Sequence, residues 1–556
     1  LLLHIRVLEG GRLSPSFACL PCGTEQLLDP WTSIHSYYWD IVVNWAADSS
    51  AYLKATMSFK DPPTLQQLAR RSLLKDEALT ISALLNLPVQ LFPPLFKDAF
   101  TSRQRKILSL MVAAWPFPVL PVGALGGIDH LETLKAVLDG LDLLMSQKDR
   151  PSRWNLQVLD LGNAHQDFWD GWAGLLHEVC SQDVFGKNQP VGNHPIPGGK
   201  QTITIKMNLS LKYCRHSKYL NYLHWWAEQR KDGIQVICEK LEFTGPHCPE
   251  LRFLKFSFVA SIQELAIKSI HWDIYNLALI ASCLGQMKNL QKLILMNIRR
   301  PPDLADLQEA HIVTEIFSEF SKLHKVHYLH VNNVYFLKER LDQMLRCFER
   351  PLETLAITHC RLSELDMRYL SQCPSIHQLK YLDMSYTTFK PSSHRFLGSL
   401  LERLTATLQT LKLECFHLTD FQIRDLLPGL SQCSQLTEVD IAMNEFSVVS
   451  LKKLLKHTAN LTQLTLEKYP APVEVYDDGH SVISDRFVQL CSELMNTLKG
   501  VRQAKQVYFV SMPCLRNYEF LIYNLKGLDS SEQLRRRGLS WALINGEQVS
   551  RDSLQL

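Results

Sequence analysis

The chain has little of what would mark it as a membrane protein, a nucleic-acid binder or an enzyme. It holds 556 residues, 46% of them hydrophobic, yet no apolar run reaches the ~20 residues needed to cross a bilayer. It lacks net charge: 59 basic residues face 56 acidic ones, a formal +3. That balance argues against nucleic acid or an anionic membrane surface as a partner. The opening LLLHIRVLEGGR lacks the layout of a signal peptide. Phosphate-loop, nucleophile-elbow and HExxH zinc patterns are absent. Gly123-Ala-Leu-Gly126-Gly127 does not follow a strand at dinucleotide-motif spacing and reads as a loop. His165 and Asp167 stand beside Phe168 and Trp169 and read as structural, and His311, His324, His327 and His330 have no metal-ligand spacing. The expectation is a non-enzyme with no cofactor and no metal. A disulfide framework is lacking too. Of 14 cysteines, one pair forms a CxxC (Cys19–Cys22), with no second pair at zinc spacing. Buried thiols in a reducing compartment, cytoplasm or nucleus, are the expected reading.

What is present is a repeat. From Leu352 to Leu466 a pattern recurs: Leu, two residues, Leu, one residue, an aliphatic. It starts at Leu352, Leu379, Leu408, Leu436 and Leu461, in steps of 27, 29, 28 and 25 residues. Such self-similarity predicts a leucine-rich repeat solenoid. Strand cores are expected at Leu241-x-Phe243, Leu265-x-Ile267, Leu293-x-Leu295, Leu329-x-Val331, Leu355-x-Ile357, Leu382-x-Met384, Leu411-x-Leu413, Val439-x-Ile441 and Leu464-x-Leu466. Helices follow them, for example at 363–372, 391–404, 419–430 and 447–456. Parallel strands joined by right-handed crossovers give an α/β horseshoe with a concave sheet and convex helices. Two LxxLL sequences, Leu397–Leu401 and Leu451–Leu455, fall on those helices and read as core packing.

Residues between the strand leucines alternate outward. The expected concave surface includes Tyr328, His330, Gln463 and Glu467, and its substrate candidates are Tyr381, Asp383, Lys412, Glu414, Glu438 and Asp440. The mix is polar and turns acidic toward the C-terminal end, which suits a protein ligand with a basic patch or a solvated face with no ligand.

Ahead of the array, residues 57–150 read as a small helical module. The first helix carries Thr64-Leu65-x-x-x-Ala69-x-x-x-Leu73, which resembles the BC box, the elongin-C-binding helix of cullin-RING ligase receptors. In such a helix Leu65 fills a pocket, Ala69 permits close approach and Leu73 extends the stripe. Leu87-Pro88-x-x-Leu91-x-x-x-Leu95 resembles a cullin-2 box. Taken singly, the first motif fits an ordinary amphipathic core helix as well; order and spacing together favour docking.

Longer stretches carry a family resemblance: QLFPPLF (90–96), AAWPF (113–117), HLETLKAVLDGLDLL (130–144), RPSRWNLQVLDL (150–161), NAHQDFW (163–169), LGQMKNLQKLIL (284–295), RLDQMLR (340–346), PLETLAITHCRLSELDMRYLSQCPS (351–375) and LLPGLSQCSQLT (426–437). These resemble the PRAME family, from about Met57 to about Cys514. The resemblance implies a leucine-rich repeat horseshoe and a substrate-recognition adaptor of a cullin-2 RING ubiquitin ligase. Its partners would be elongin B/C, cullin-2 and an unidentified substrate protein. It also implies links to repressed retinoic-acid-receptor signalling, differentiation, apoptosis and proliferation. A non-ligase repeat scaffold acting as a corepressor-type binding protein, with a nuclear receptor as partner, is the alternative. Residues 1–56 show no period and read as a non-family extension of the gene model, with Met57 as the natural start. Residues 151–510 form the array, with an irregular insertion at 170–235 and Trp225-Trp226 on its helix, read as core cover. Residues 511–556 read as a divergent tail that packs poorly.

Overall fold

A computed structural model describes residues 64–84, 86–125, 131–147, 154–162, 169, 202–211, 216–245, 257–389, 391–513 and 520–530. The CxxC cysteines, His165 and Asp167 lie outside them. One compact unit, Pro63–Leu534, holds all the described residues.

Its frame is a fifteen-stranded sheet in which every strand neighbours the next in sequence. The strands are β1 (Val119–Pro121), β2 (Val158–Asp160), β3 (Ile203–Leu211), β4 (Ile234–Phe243), β5 (Glu264–Ile267), β6 (Lys292–Met296), β7 (Tyr328–Asn332), β8 (Thr354–Thr358), β9 (Tyr381–Asp383), β10 (Thr410–Lys412), β11 (Glu438–Asp440), β12 (Leu466–Pro470), β13 (Gln506–Val510), β14 (Leu521–Asn524) and β15 (Gly527–Ser530). Pairing is parallel from β1 to β13 and antiparallel for the last two strands. Strict sequential order with parallel pairing is the topology of a leucine-rich repeat solenoid.

The strand leucines explain it. Leu293, Leu329, Leu355, Leu382 and Leu411 are Cα partners in turn and all are fully buried. They stack against α7 (Ile274–Leu284), α8 (Asp306–Phe320), α9 (Leu341–Arg346), α10 (Glu364–Gln372), α11 (Arg395–Leu404), α12 (Asp420–Gln432), α13 (Val448–His457) and α14 (Ser484–Val501). Each leucine so buried contributes about 1.5–3 kcal/mol. The LxxLL leucines Leu397, Leu400, Leu401, Leu451, Leu454 and Leu455 belong to this core. Side-chain caps start α10, α12 and α13. Ser363 and Thr419 form capping boxes with Asp366 and Gln422, and Ser447 accepts from the Ser450 amide.

Chain reversal after β6 to β11 uses one device. Asn297, Asn333, His359, Tyr386, Cys415 and Met443 all have φ between 48° and 58°, and each stands three residues after a concave-facing strand residue. Asparagine tolerates this left-handed region; the other four occupy it at a cost of about 1 kcal/mol each. The asparagine Asn444 then fastens one turn. Its Oδ1 accepts from the Phe416 and Leu418 amides at 3.1 and 3.0 Å, and its Nδ2 donates to the Leu413 and Ile441 carbonyls at 2.8 Å each.

The N-terminal helices are α1 (Leu65–Lys75), α2 (Glu77–Leu84), α3 (Phe92–Thr101), α4 (Arg105–Ala113) and α5 (Leu131–Ser146). They do not stop short of the sheet. The chain after α4 supplies β1, and Trp115, buried with Phe96 and Trp169, anchors it. The expected boundary at 150 is therefore not a break in packing. Residues 170–235, expected as an insertion that interrupts the period, contribute β3, the nine-residue strand that joins β2 to β4. They also supply α6 (His216–Glu228), whose two tryptophans part company. Trp226 is buried and donates to Asp142, whereas Trp225 is 56% exposed.

Two further differences have clear causes. Leu461-x-x-Leu464-x-Leu466 repeats the pattern three residues too early. The register pairs Val439 with Glu467, so Glu467 and Tyr469 take the inward positions and Gln463 lies in a turn before the strand. Beyond residue 510 the chain does not trail off but adds the β14–β15 hairpin. Its two-residue turn at Leu525-Lys526 is held by the Lys526 amide on Asn524 Oδ1 at 2.8 Å, with Gly527 at φ 111°. An antiparallel hairpin carries no leucine repeat, so the repeat pattern gave no sign of it.

Candidate functional sites

The BC-box-like residues lie on α1. Thr64 is its N-cap, in a capping box with Gln67. The helix buries none of its eleven residues. Leu65 is 86% exposed and Leu68 47%; Ala69 is also exposed, and Leu73 is half-buried. The C-terminal half of α1 is tied down. Arg70 Nε bridges Asp98 at 2.9 Å, Thr80 Oγ1 donates to the Leu73 carbonyl at 2.5 Å, and Gln104 Nε2 donates to the Leu74 carbonyl at 2.9 Å. The arrangement is a capped helix, fixed at one end, with apolar side chains at i, i+3 and i+4 left in solvent.

The cullin-2-box-like residues are divided. Leu87 and Leu95 are 6% and 1% exposed and belong to the core. Leu91 is half-buried against it, and Pro88 is exposed. Pro93 and Pro94 open α3 where proline is tolerated, and its buried Phe92 and Phe96 pack on Trp115.

The six substrate candidates fall together on the concave face of β9–β11 and the turn after β10. Register aligns Tyr381, Thr410 and Glu438 in one row and Asp383, Lys412 and Asp440 in the next, continued by Lys468 on β12. The second row alternates acid, base, acid, base. Lys412 bridges Glu438 at 3.2 Å, and Lys468 bridges Asp440 at 3.0 Å with both side chains buried. Burial works to lower the Lys412 pKa, but Glu438, Asp383 and Asp440 outweigh it and raise the value. Burial pushes the Asp383 carboxyl up, against hydrogen bonds from Ser385. Glu414, in the turn after β10, accepts from Tyr386 Oη at 2.7 Å. Burial, reinforced by Asp440, pushes it up to about 8.

Tyr328 and His330 also face this side, as expected. Burial and Lys268 push His330 down to about 4, so it is neutral at physiological pH. Glu467 does not belong here. It lies in the core, accepts from Tyr469 Oη at 2.7 Å and pairs with the buried guanidinium of Arg502. Leucine counting misplaced Glu467 and missed Arg502 and Lys468. The signal was the repeat length itself, since 28 residues beyond Val439 stands Glu467. Among the described residues no group of His, Cys, Asp and Glu could hold a metal, and no helix is long and apolar enough to cross a membrane.

Fold and surface together define a leucine-rich repeat protein with a helical N-terminal module and a polar concave sheet. Residues 62–169 match the PRAME N-terminal domain and residues 203–530 the PRAME C-terminal domain. The chain is 42% identical over 461 residues to human PRAME family member 12, covering 83% of this chain and 95% of that one. Human PRAME family member 8 is 41% identical, over 83% of this chain and 97% of that one. This chain belongs to the PRAME family. A solved internalin of Listeria monocytogenes aligns with 49% of the chain and 78% of its own at 14% identity and a TM-score of 0.26, a score at which the likeness carries no argument.

Proposed function

We propose that the chain is a substrate-recognition adaptor of a cullin-2 RING ubiquitin ligase, with α1 as its elongin-C-docking helix and the concave sheet as its substrate face. The observation that carries this reading is the exposure of Leu65 on a capped helix that is anchored elsewhere. A core helix hides such leucines; this one offers Leu65, Leu68 and Ala69 to a groove. Burying Leu65 against a partner is worth about 1.5–3 kcal/mol. A pulldown comparing the native chain with Leu65→Asp tests it. The native chain should retain elongin B/C and Leu65→Asp should weaken retention on the order of a hundredfold. Thermal stability should be unchanged, because the side chain supports no fold contact. Failure of the native chain to recover elongin C ends the adaptor reading.

One observation favours a second reading. Leu87 and Leu95 serve the core, which leaves Pro88 and Leu91 as what a cullin-2 contact has to use. A repeat scaffold that binds a transcriptional regulator through the concave sheet needs neither motif. It predicts regulator binding that Leu65→Asp leaves intact.

A further inference from the structure

Ser72 stands in the face that α1 offers to solvent. An α-helix turns about 100° per residue, so Ser72 projects within about 20° of Leu65, two turns further on, between the directions of Leu68 and Ala69. All four residues are exposed. Arg70 and Leu74 point the other way, to Asp98 and to the core. The apolar stripe offered for docking therefore continues into a hydroxyl.

That hydroxyl is free. Ser82, Ser102, Ser109 and Ser146, on or at the ends of the neighbouring helices, turn their Oγ back to a carbonyl three or four residues earlier, at 2.6 to 2.9 Å. Ser72 Oγ has no hydrogen-bond partner among the described residues. The available charges around it are of one sign. Arg70 and Arg71 precede it and Lys75 follows. The carboxylates beyond are already engaged: Asp76 Oδ1 accepts from the Leu79 amide at 3.0 Å, and Glu77 bridges Lys106 at 3.0 Å. Two guanidiniums just before a serine hydroxyl suit a kinase whose substrate groove is acidic. Such a groove takes an extended segment, so the last turn of α1 has to open. Little resists this, because α1 buries none of its residues completely. Opening breaks the hydrogen bonds to the Leu73 and Leu74 carbonyls and releases Arg70 from Asp98, which presents both guanidiniums to the kinase.

We propose that Ser72 is a phosphorylation site for a basic-directed serine kinase, and that its phosphate switches off docking by α1. Ser72 Oγ attacks the γ-phosphorus of ATP. The new O–P bond replaces the bond to the β-phosphate oxygen, ADP leaves, and the hydroxyl proton passes to the kinase's base. The product puts close to two negative charges on a face that otherwise enters an apolar groove. It also puts them in the last turn of the helix, at the negative end of its dipole. Both placements oppose docking. Lys75, one turn on, answers only part of the charge. This inference rests on α1 being the elongin-docking helix, and it adds how that docking is regulated.

The test treats the full chain with Mg-ATP and the catalytic domain of protein kinase A or protein kinase C, with the acid-directed casein kinase 2 as control. Mass spectrometry locates the phosphate. A basic-directed kinase should modify Ser72 and casein kinase 2 should not. The full chain with phosphoserine installed at position 72 during translation should capture elongin B/C at least about tenfold more weakly than the unmodified chain, and phosphatase should restore capture. Ser72→Ala should take no phosphate at that position, and its capture should be the same before and after kinase treatment. No phosphate on Ser72 from either basic-directed kinase, or equal labelling by casein kinase 2, overturns the site. Undiminished capture by the phosphoserine chain overturns the switch and leaves the adaptor reading standing. An unmodified chain that captures no elongin C ends the adaptor reading and the switch with it, and the phosphate map then still decides whether Ser72 is a kinase site.

Discussion

Glu414 shows what the concave polar ladder costs. Its carboxyl is buried, near Asp440 and Asp383 on one side and Lys468 and the Tyr386 hydroxyl on the other, and its pKa rises from 4.5 to about 8. The unfolded chain gives up that proton near 4.5, and the folded chain keeps it until about 8. Across that window the unfolded state binds fewer protons, so this residue's contribution to stability falls as pH rises, by up to ~1.4 kcal/mol per unit. Glu414→Gln keeps an acceptor for Tyr386 and removes the ionisation. It should match the native chain at the acid end of the window and be more stable at the alkaline end. Urea unfolding at the two ends checks this; a stability difference that does not change with pH refutes it. The leucine spacing indicated that Glu414 faces outward, but its protonation was not legible. That depends on Asp440, Lys468 and Tyr386, which the sequence separates by as many as 82 residues, between Tyr386 and Lys468.

At the scale of elements, legibility followed the strength of the local signal. The helices after β8, β10 and β11 begin at capping residues the sequence displays, Ser363, Thr419 and Ser447. The BC-box-like helix was legible as a pattern, but the exposure of Leu65 was not, since amphipathic spacing is the same for a core helix and a docking helix. β12 was misplaced because Leu464 and Leu466 imitate a strand core, while the true core position holds Glu467, tolerable only with Arg502 and Tyr469 as partners. Turns hide the most. The α3–α4 junction is a Schellman motif: the Gln104 amide donates to the Ala99 carbonyl at 3.0 Å and the Arg103 amide to that of Phe100 at 3.1 Å. Its left-handed residue, usually glycine, is the exposed Arg103 at φ 55°. Arg103→Gly relieves that backbone and should stabilise the chain by about 0.5–1 kcal/mol, read as a rise in the denaturation midpoint. A fall in the midpoint would mean that the unfolded-state entropy of glycine prevails.

For the whole repeat unit, the sheet decides what counts as a domain. A solenoid has two ends, and each must be covered. At the C-terminal end α14, β13 and the β14–β15 hairpin do so. The hairpin alternates inward and outward along Leu521–Asn524 and buries Ile522. At the N-terminal end the cover is the helical module itself, because β1 is its contribution to the sheet and pairs with β2 over three residues. The Trp169 indole donates to the Pro121 carbonyl at 2.8 Å and its ring stacks on Phe96 at 5.9 Å, so both sides of the expected boundary share one aromatic cluster. The proposed elongin-docking helix is thus carried on the end cap of the proposed substrate-binding array, and the two are mechanically one piece. Residues 151–556 expressed without the module should therefore leave the edge of β2 open, with Leu159 and the Trp169 site uncovered. Open, apolar edges pair between chains, so this fragment should self-associate and lose its cooperative thermal transition, whereas the full chain melts once. Sedimentation and calorimetry on the two proteins decide it. A monomeric fragment with the transition of the full chain would show that the array ends at residue 151 and that the module is an appendage.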